Sequence, residues 1–270
     1  MDPSNGSTFT NLGTTQLVSV PYALHSNIAD TAKYSLFAAT VPPTTVSGNG
    51  NQIIVNGVSA ALPTPSAPTL QKFTSGSGIY TTPNGVKWIK VSMVGGGGGG
   101  AAGYNLAAAG DEGTTSFGTS LLTCTGGAHG TLTGDNEAAG GTAIINSPAY
   151  GTAIDGAVGS SSAAFGTDAV VPGAAGASTP FGGGGRGTGT GSGYVAGSAK
   201  NNTGAGGGGG QGGTDPSGGS GVAGGYLVAF IANPSATYSY VVGGGGITGV
   251  GGISGGAVGS EIIIVEEYYQ

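Results

Sequence analysis

In the stretch VKWIKVSMV at 86–94, apolar and polar residues alternate. Ile89, Val91 and Met93 fall on one side and Trp88, Lys90 and Ser92 on the other, the period of a half-buried strand. Upstream, Phe73, Ile79 and Tyr80 lead to Pro83-Asn84-Gly85, a turn signal. GGYLVAFI (224–231), ATYSYVV (236–242) and SEIIIVEEYY (260–269) read as three further strands. Ile262, Ile263 and Ile264 need cover on both faces, so the first and last of these strands are expected to pair and close one domain. A different period governs the first forty residues. Leu24, Ile28, Ala32 and Leu36 recur every four, with Asn27, Asp30 and Lys33 off that stripe, which predicts a helix over 21–39. Its narrow apolar face suits a partner strand of protein or further copies of itself. Between the two periods lie the Pro-rich VPPTT and LPTPSAPTL, flanking NQIIVNGVSAAL, a hairpin candidate turning at Asn56-Gly57. The expected organisation is an attachment segment at 1–40, a connector at 41–70 and a body at 71–270.

Composition changes the reading of the body, because 62 of the 270 residues are glycine. Disordered chains combine low hydrophobicity with high charge, whereas this one is 37% apolar and 7% charged. The tracts therefore need an ordered state. Gly95–Gly100 follows a strand and matches the dinucleotide-binding spacing, as any six glycines do. That motif also requires a helix to open after it, and the glycines at 103, 110, 113 and 118 leave no room for one. Collagen fails because glycine does not recur strictly every third residue, and silk-like stacking wants longer uniform repeats. The remaining ordered state is a bundle of extended polyglycine II helices, three residues per turn, whose outward amides bond to neighbouring helices. The predicted fold is thus mostly β and irregular, with a short N-terminal helix and packed polyglycine II helices bracketed by strands. Gly95, Gly97, Gly100, Gly183, Gly207, Gly209 and Gly244 are its expected lattice positions.

Charge and chemistry exclude several functions. The net charge is −6, and beyond residue 90 only Arg186 and Lys200 are basic, so the stripe that binds nucleic acid or an anionic membrane surface is missing. No segment holds 18 consecutive apolar residues, so no membrane insertion is expected. The single cysteine, Cys124, reads as a buried small hydrophobe. His25 and His129 do not suggest a shared site, and Asp111, Glu112, Asp135, Glu137, Asp155, Asp168 and Asp215 are dispersed. No metal, cofactor or catalytic activity is expected. The opening MDPSNGSTF reads as a chain entered within a longer polypeptide.

What remains is recognition by loops. Aromatic residues beside Asn and Asp offer stacking faces with directional hydrogen bonds at low entropic cost. The candidates are Tyr104, Asn105, Tyr150, Phe165, Tyr194, Lys200, Asn201 and Asn202, in a variable region of about 104–203. For Tyr150, Phe165 and Phe181 the competing role is to cap the ends of the lattice.

The stretches KFTSGSGIYTTPNGVKWIKVSMVGGGGGG, GTTSFG with LTCTGG, and GGAVGSEIIIVEEY resemble the glycine-rich domain at the ends of phage tail-fibre proteins. The organisation is similar to the receptor-binding adhesins of T-even-type long tail fibres. That resemblance implies a polyglycine II sandwich whose intervening loops contact a host receptor, either a bacterial surface glycan or an outer-membrane protein, at an extracellular location. FTNLGTTQLVSVPYALHSNIADTAKYS resembles a junction segment of Bacteroidota fibre and surface proteins. It implies attachment through 1–40 to a fibre shaft or to itself, as in a homotrimer. The alternative functions are a structural component of a fibre, baseplate or surface appendage, and ice binding, which the irregular 104–203 region disfavours.

Overall fold

The computed structural model describes residues 46–48, 52–56, 58–61, 66–103, 113–131, 139–163, 170–191, 194–213, 215–251 and 253–270. The expected helix at 21–39 lies outside them, and among the described residues there is no helix. The chain divides into two compact units, Met1–Thr64 and Pro65–Gln270. In the first, β1 (Val46–Gly48), β2 (Gln52–Val55) and β3 (Val58–Ala61) form an antiparallel meander. β2 and β3 pair with Val55 opposite Val58, and Asn56, next in the chain after β2, lies in the left-handed region at φ 50°.

The second unit carries two five-stranded antiparallel sheets. One has the order β10 (Tyr150–Ile154), β11 (Tyr226–Ala232), β6 (Trp88–Val94), β13 (Ile262–Tyr268) and β4 (Thr69–Phe73). The other runs β5 (Gly76–Thr81), β12 (Thr237–Val242), β7 (Thr115–Phe117), β8 (Leu122–Cys124) and β9 (Ala143–Ile145). The expected pairing of first and last strands is present, Val94 opposite Ile262 through Trp88 opposite Tyr268. The turn at Pro83-Asn84-Gly85, with Gly85 at φ 87°, carries the chain from β5 in one sheet to β6 in the other.

Side chains from both sheets form one buried cluster. Ile89, Val91, Met93, Leu227, Ile231 and Ile263 of the first sheet pack with Tyr80, Phe117 and Leu122 of the second. Cys124 is buried here as a free thiol, pushed up to about 12 by desolvation. A polar contact also crosses between the sheets. The buried Glu267 of β13 accepts from the Tyr80 hydroxyl of β5 at 3.0 Å, from Gln71 at 2.7 Å and from Thr69.

Beyond the sandwich the strand ladders continue into glycine without changing register. Tyr226 sits opposite Val94 at the end of the β11–β6 ladder. The amides of Gly95, Gly98 and Ala101 then donate to the carbonyls of Gly225, Val222 and Gly219. On the other side of the same run, Gly97, Gly100 and Gly103 donate to Gly259, Gly256 and Ile253, extending the β6–β13 register. The period has changed from two to three. A strand at period two bonds within a plane, whereas a run at period three sends its amides in three directions and can be surrounded.

The 204–212 run is surrounded in this way. Its amides reach Ala177, Ala174 and Val171 on one side, Gly98 and Ala101 on a second and Gly197 on a third. Its carbonyls accept from Gly224, Gly221 and Gly218, from Gly259 and Gly256, and from Gly185 and Thr188. The 217–225 run repeats the arrangement: Gly218, Gly221 and Gly224 donate to Gly210, Gly207 and Gly204; Gly219, Val222 and Gly225 to Thr131, Ala128 and Thr125; Ser220 and Ala223 to Ser160 and Ala157.

Glycine is needed here for its missing side chain rather than for its φ. Left-handed φ occurs at Gly76, Gly85, Gly118, Gly204 and Gly251, and not at Gly95, Gly97, Gly100, Gly207 or Gly209. A Cβ at these five would overlap the carbonyls of Thr125, Ala205, Gly208, Gly256 and Gly218 respectively. Gly183 and Gly244 differ from the other expected lattice positions. A Cβ at either meets open space, so close packing does not demand glycine there.

Candidate functional site

Of the residues expected to read a receptor, Tyr104, Asn105 and Phe165 lie outside the described residues. Lys200, Asn201 and Asn202 share the turn that feeds the 204–212 run, with Lys200 and Asn201 exposed. The turn is tied down at both ends. Thr203 Oγ1 donates to the Lys200 carbonyl at 2.6 Å, and the Asn202 amide, at φ 62°, donates to Ser260 Oγ at 2.8 Å. Asn202 Oδ1 accepts from the same serine at 3.3 Å, so this side chain holds the turn as well as lining it. Tyr194 is half exposed, its ring lying against Gly191, where a Cβ would strike it.

Tyr150 belongs to a different surface. It stands 62% exposed on β10, the edge strand of the first sheet, directly opposite Phe230 of β11. The two rings are 5.7 Å apart and tilted by 27°. Phe230 in turn lies 5.9 Å from Trp88 of β6, and Trp88 stacks on Tyr268 of β13 at 3.7 Å with the planes 3° from parallel. Four adjacent strands thus each supply an aromatic to this row on the outer face, as cross-strand and diagonal neighbours. On β6, β11 and β13 the alternate positions face the core, so three members of the row follow from the same period that buries Ile89, Val91 and Ile231, while Tyr150 joins them through its pairing with Phe230 on the edge strand.

Two polar features border the row. Lys90 pairs with Glu266 at 2.9 Å, and the Tyr268 hydroxyl donates to the other oxygen of Glu266 at 2.8 Å. The lysine's hydrogen bond holds the Glu266 carboxyl below its ordinary range, and Lys90 is raised in return by the same bond. The Trp88 indole N–H donates to the carbonyl of Gln270 at 3.2 Å, pinning the ring.

Trp88, Phe230, Tyr150, Lys87 and Ala232 line an open slot of about 450 Å³. Ala232 faces Trp88 across the β11–β6 ladder, and its short side chain is what leaves the gap. A second hollow, about 280 Å³, lies where Ser66, Pro68, Tyr269 and Gln270 meet Trp88 and Tyr268. Sequence reasoning places Trp88 and Lys90 away from the core but misses Phe230, Tyr268 and Lys87, since alternation gives a face and not the strand lying beside it. Among the described residues no cluster of three His, Cys, Asp or Glu side chains could hold a metal ion. No known family model, curated protein or solved structure matches this chain.

Proposed function

We propose that this chain is a non-enzymatic adhesin, the receptor-binding part of a phage or phage-like fibre, acting outside the cell on a bacterial surface glycan or outer-membrane protein. In this reading the glycine runs are polyglycine II helices. The three-way rotation of amides around 204–212 and 217–225 is the observation that carries it, because a three-residue turn with outward amides defines that helix. Such a lattice has no side-chain core to loosen. It gives a rigid platform on which the segments between runs can present Tyr104, Tyr194 and Asn201. Residues 1–40 attach the platform to a shaft or to other copies of the chain.

The test is direct binding of the labelled full chain to a panel of bacterial strains. Binding to some strains is expected, with loss in the triple variant Tyr104→Ala, Tyr194→Ala, Asn201→Ala and no change in melting temperature. Binding to none overturns the receptor reading in favour of a structural fibre component. Retention by the triple variant moves the contact surface elsewhere.

A further inference from the structure

We propose that the slot between Trp88 and Tyr150 on the outer sheet face binds an acidic saccharide, with a sugar ring against the aromatic walls and its carboxylate on Lys87. The inference rests on the receptor reading above and adds to it a ligand class and a second contact surface. Three features of the slot select this ligand. The first is shape. Tyr268 covers one side of the Trp88 indole, while Trp88, Phe230 and Tyr150 wall the slot and Ala232 leaves its centre open. Its volume of about 450 Å³ lies within the roughly 300–1,000 Å³ of small-molecule sites. The apolar C–H face of a pyranose packs on such rings while its hydroxyls stay at the wet rim, the division of labour that suits aromatic side chains at interfaces.

The second feature is charge. Lys90 is matched by Glu266, but Lys87, exposed at the slot, has no ion-pair partner among the described residues. In a chain of net charge −6, an exposed lysine on the lining of the slot is a cation that a ligand's carboxylate can pair with. An aromatic slot alone would also suit a quaternary ammonium ion. The Lys87 ammonium repels that ligand and attracts a carboxylate, through a charge-assisted hydrogen bond.

The third is rigidity. The walls stand on β6, β10 and β11, whose ladders fix their spacing, so little ordering is needed on binding.

Trp88 is the chain's single tryptophan, so its fluorescence reports binding beside this ring, and the Ala232→Phe variant separates the slot from the second hollow that Trp88 also lines. The full chain is titrated with a hexuronate trisaccharide, with the hexose trisaccharide of the same linkage and with choline. Saturable change is expected with the hexuronate, about tenfold weaker binding with the neutral sugar, and none with choline. Lys87→Gln should erase the tenfold preference while leaving neutral-sugar affinity in place. Ala232→Phe, which fills the slot from an exposed position, should abolish both sugars at an unchanged melting temperature. No saturable response to either sugar, a preference that survives Lys87→Gln, hexuronate binding that survives Ala232→Phe, or tighter binding of choline would each overturn the proposal. Cell binding measured in parallel separates the two readings. Strains bound by a chain that ignores both sugars leave the receptor reading standing and remove this site, whereas sugar binding without any strain bound does the reverse.

Discussion

The sandwich and the glycine lattice share three chain segments, yet opposite parts of the polypeptide hold them together. In the sandwich, β6, β11 and β13 bury Ile89, Val91, Leu227, Ile231 and Ile263 against Phe117 and Leu122 of the facing sheet. The side chains do the packing, and the backbone bonds only within each sheet. A few residues along the chain, the same segments give up most of their side chains and the backbone takes over: the 217–225 run that leads into β11 is bonded to 95–101, 204–210, 125–131, 157–163 and 174–177. The difference shows what a Cβ costs and provides. With it, a strand excludes water on its faces and has two bonded neighbours. Without it, hydrophobic gain is given up, along with roughly 0.5–1 kcal/mol of extra entropy per glycine, in exchange for bonding all round. A side-chain core can relax around a defect, but a lattice of carbonyls in contact has nothing soft to move.

The sharpest way to break that comparison is to put side chains back. Gly221 lies in the 217–225 run, and a Cβ there would overlap the Gly98 carbonyl, itself bonded to the Gly207 amide. Gly221→Val should leave no folded protein. Gly221→Ala should already cost more than the roughly 1–3 kcal/mol of ordinary overpacking, since backbone rather than side chain must shift. Circular dichroism melts of the two variants test this, and a Gly221→Ala melting temperature within a few degrees of the parent would erase the distinction. The sandwich should be more forgiving. Leu227 is fully buried, and Leu227→Ala should cost about 2–5 kcal/mol, the range for a large-to-small change whose cavity can partly collapse. Urea denaturation should show a lowered midpoint with the slope unchanged.

A third test sits at the seam. Glu261 lies at the junction of the 253–259 run with β13, 1% exposed, and its Oε1 has no hydrogen-bond partner among the described residues. Desolvation raises its carboxyl above the ordinary carboxylate value. The folded state therefore holds its proton over a pH range where the unfolded chain has released it. Its contribution to stability is fully present below the ordinary value and is lost as pH rises through the raised one. Glu261→Gln removes the titration, so the fall in melting temperature across that window should flatten. Equal slopes in parent and variant would show that the seam tolerates a buried charge.

How much of this was readable in the sequence follows from which forces act locally. Alternation announces β6, β11, β12 and β13, because burying one face is a local demand on every second residue. It also places Trp88 and Lys90 outside. The strands Ala143–Ile145 and Tyr150–Ile154 sit inside the region expected to be loops, because three-residue β9 is too short for a period and Gly151 interrupts β10. Tyr150 consequently reads as a loop residue until its pairing with Phe230 is known. The lattice is legible in kind but not in detail. One usable signal is the run SGGSGVAGG at 217–225, where every third residue from Ser217 is Ser, Ser and Ala and every third from Gly218 is glycine. The first set holds the side-chain bonds of Ser217 and Ser220 to the 160–163 segment, and the second is the set whose Cβ would strike the 95–101 run. Composition reports that glycine is plentiful. Only the three-residue phase reports which glycines are indispensable.

Gly183 turns that point into the mildest test. It belongs to the tract GGGG at 182–185, and from sequence alone it is indistinguishable from Gly184 and Gly185. A Cβ at Gly184 would overlap the Gly176 carbonyl and one at Gly185 the Gly197 carbonyl, whereas at Gly183 it meets nothing within 4 Å. Gly183 is exposed and lies outside the left-handed φ region, so alanine fits its backbone. Gly183→Ala should therefore stabilise slightly, by about 0.4–1 kcal/mol, because alanine has less freedom to lose when the chain folds. Gly184→Ala and Gly185→Ala, one and two positions along, should destabilise strongly. If all three variants lose stability alike, the tract is intolerant as a unit, and the phase of contact within the lattice is not what decides where glycine is required.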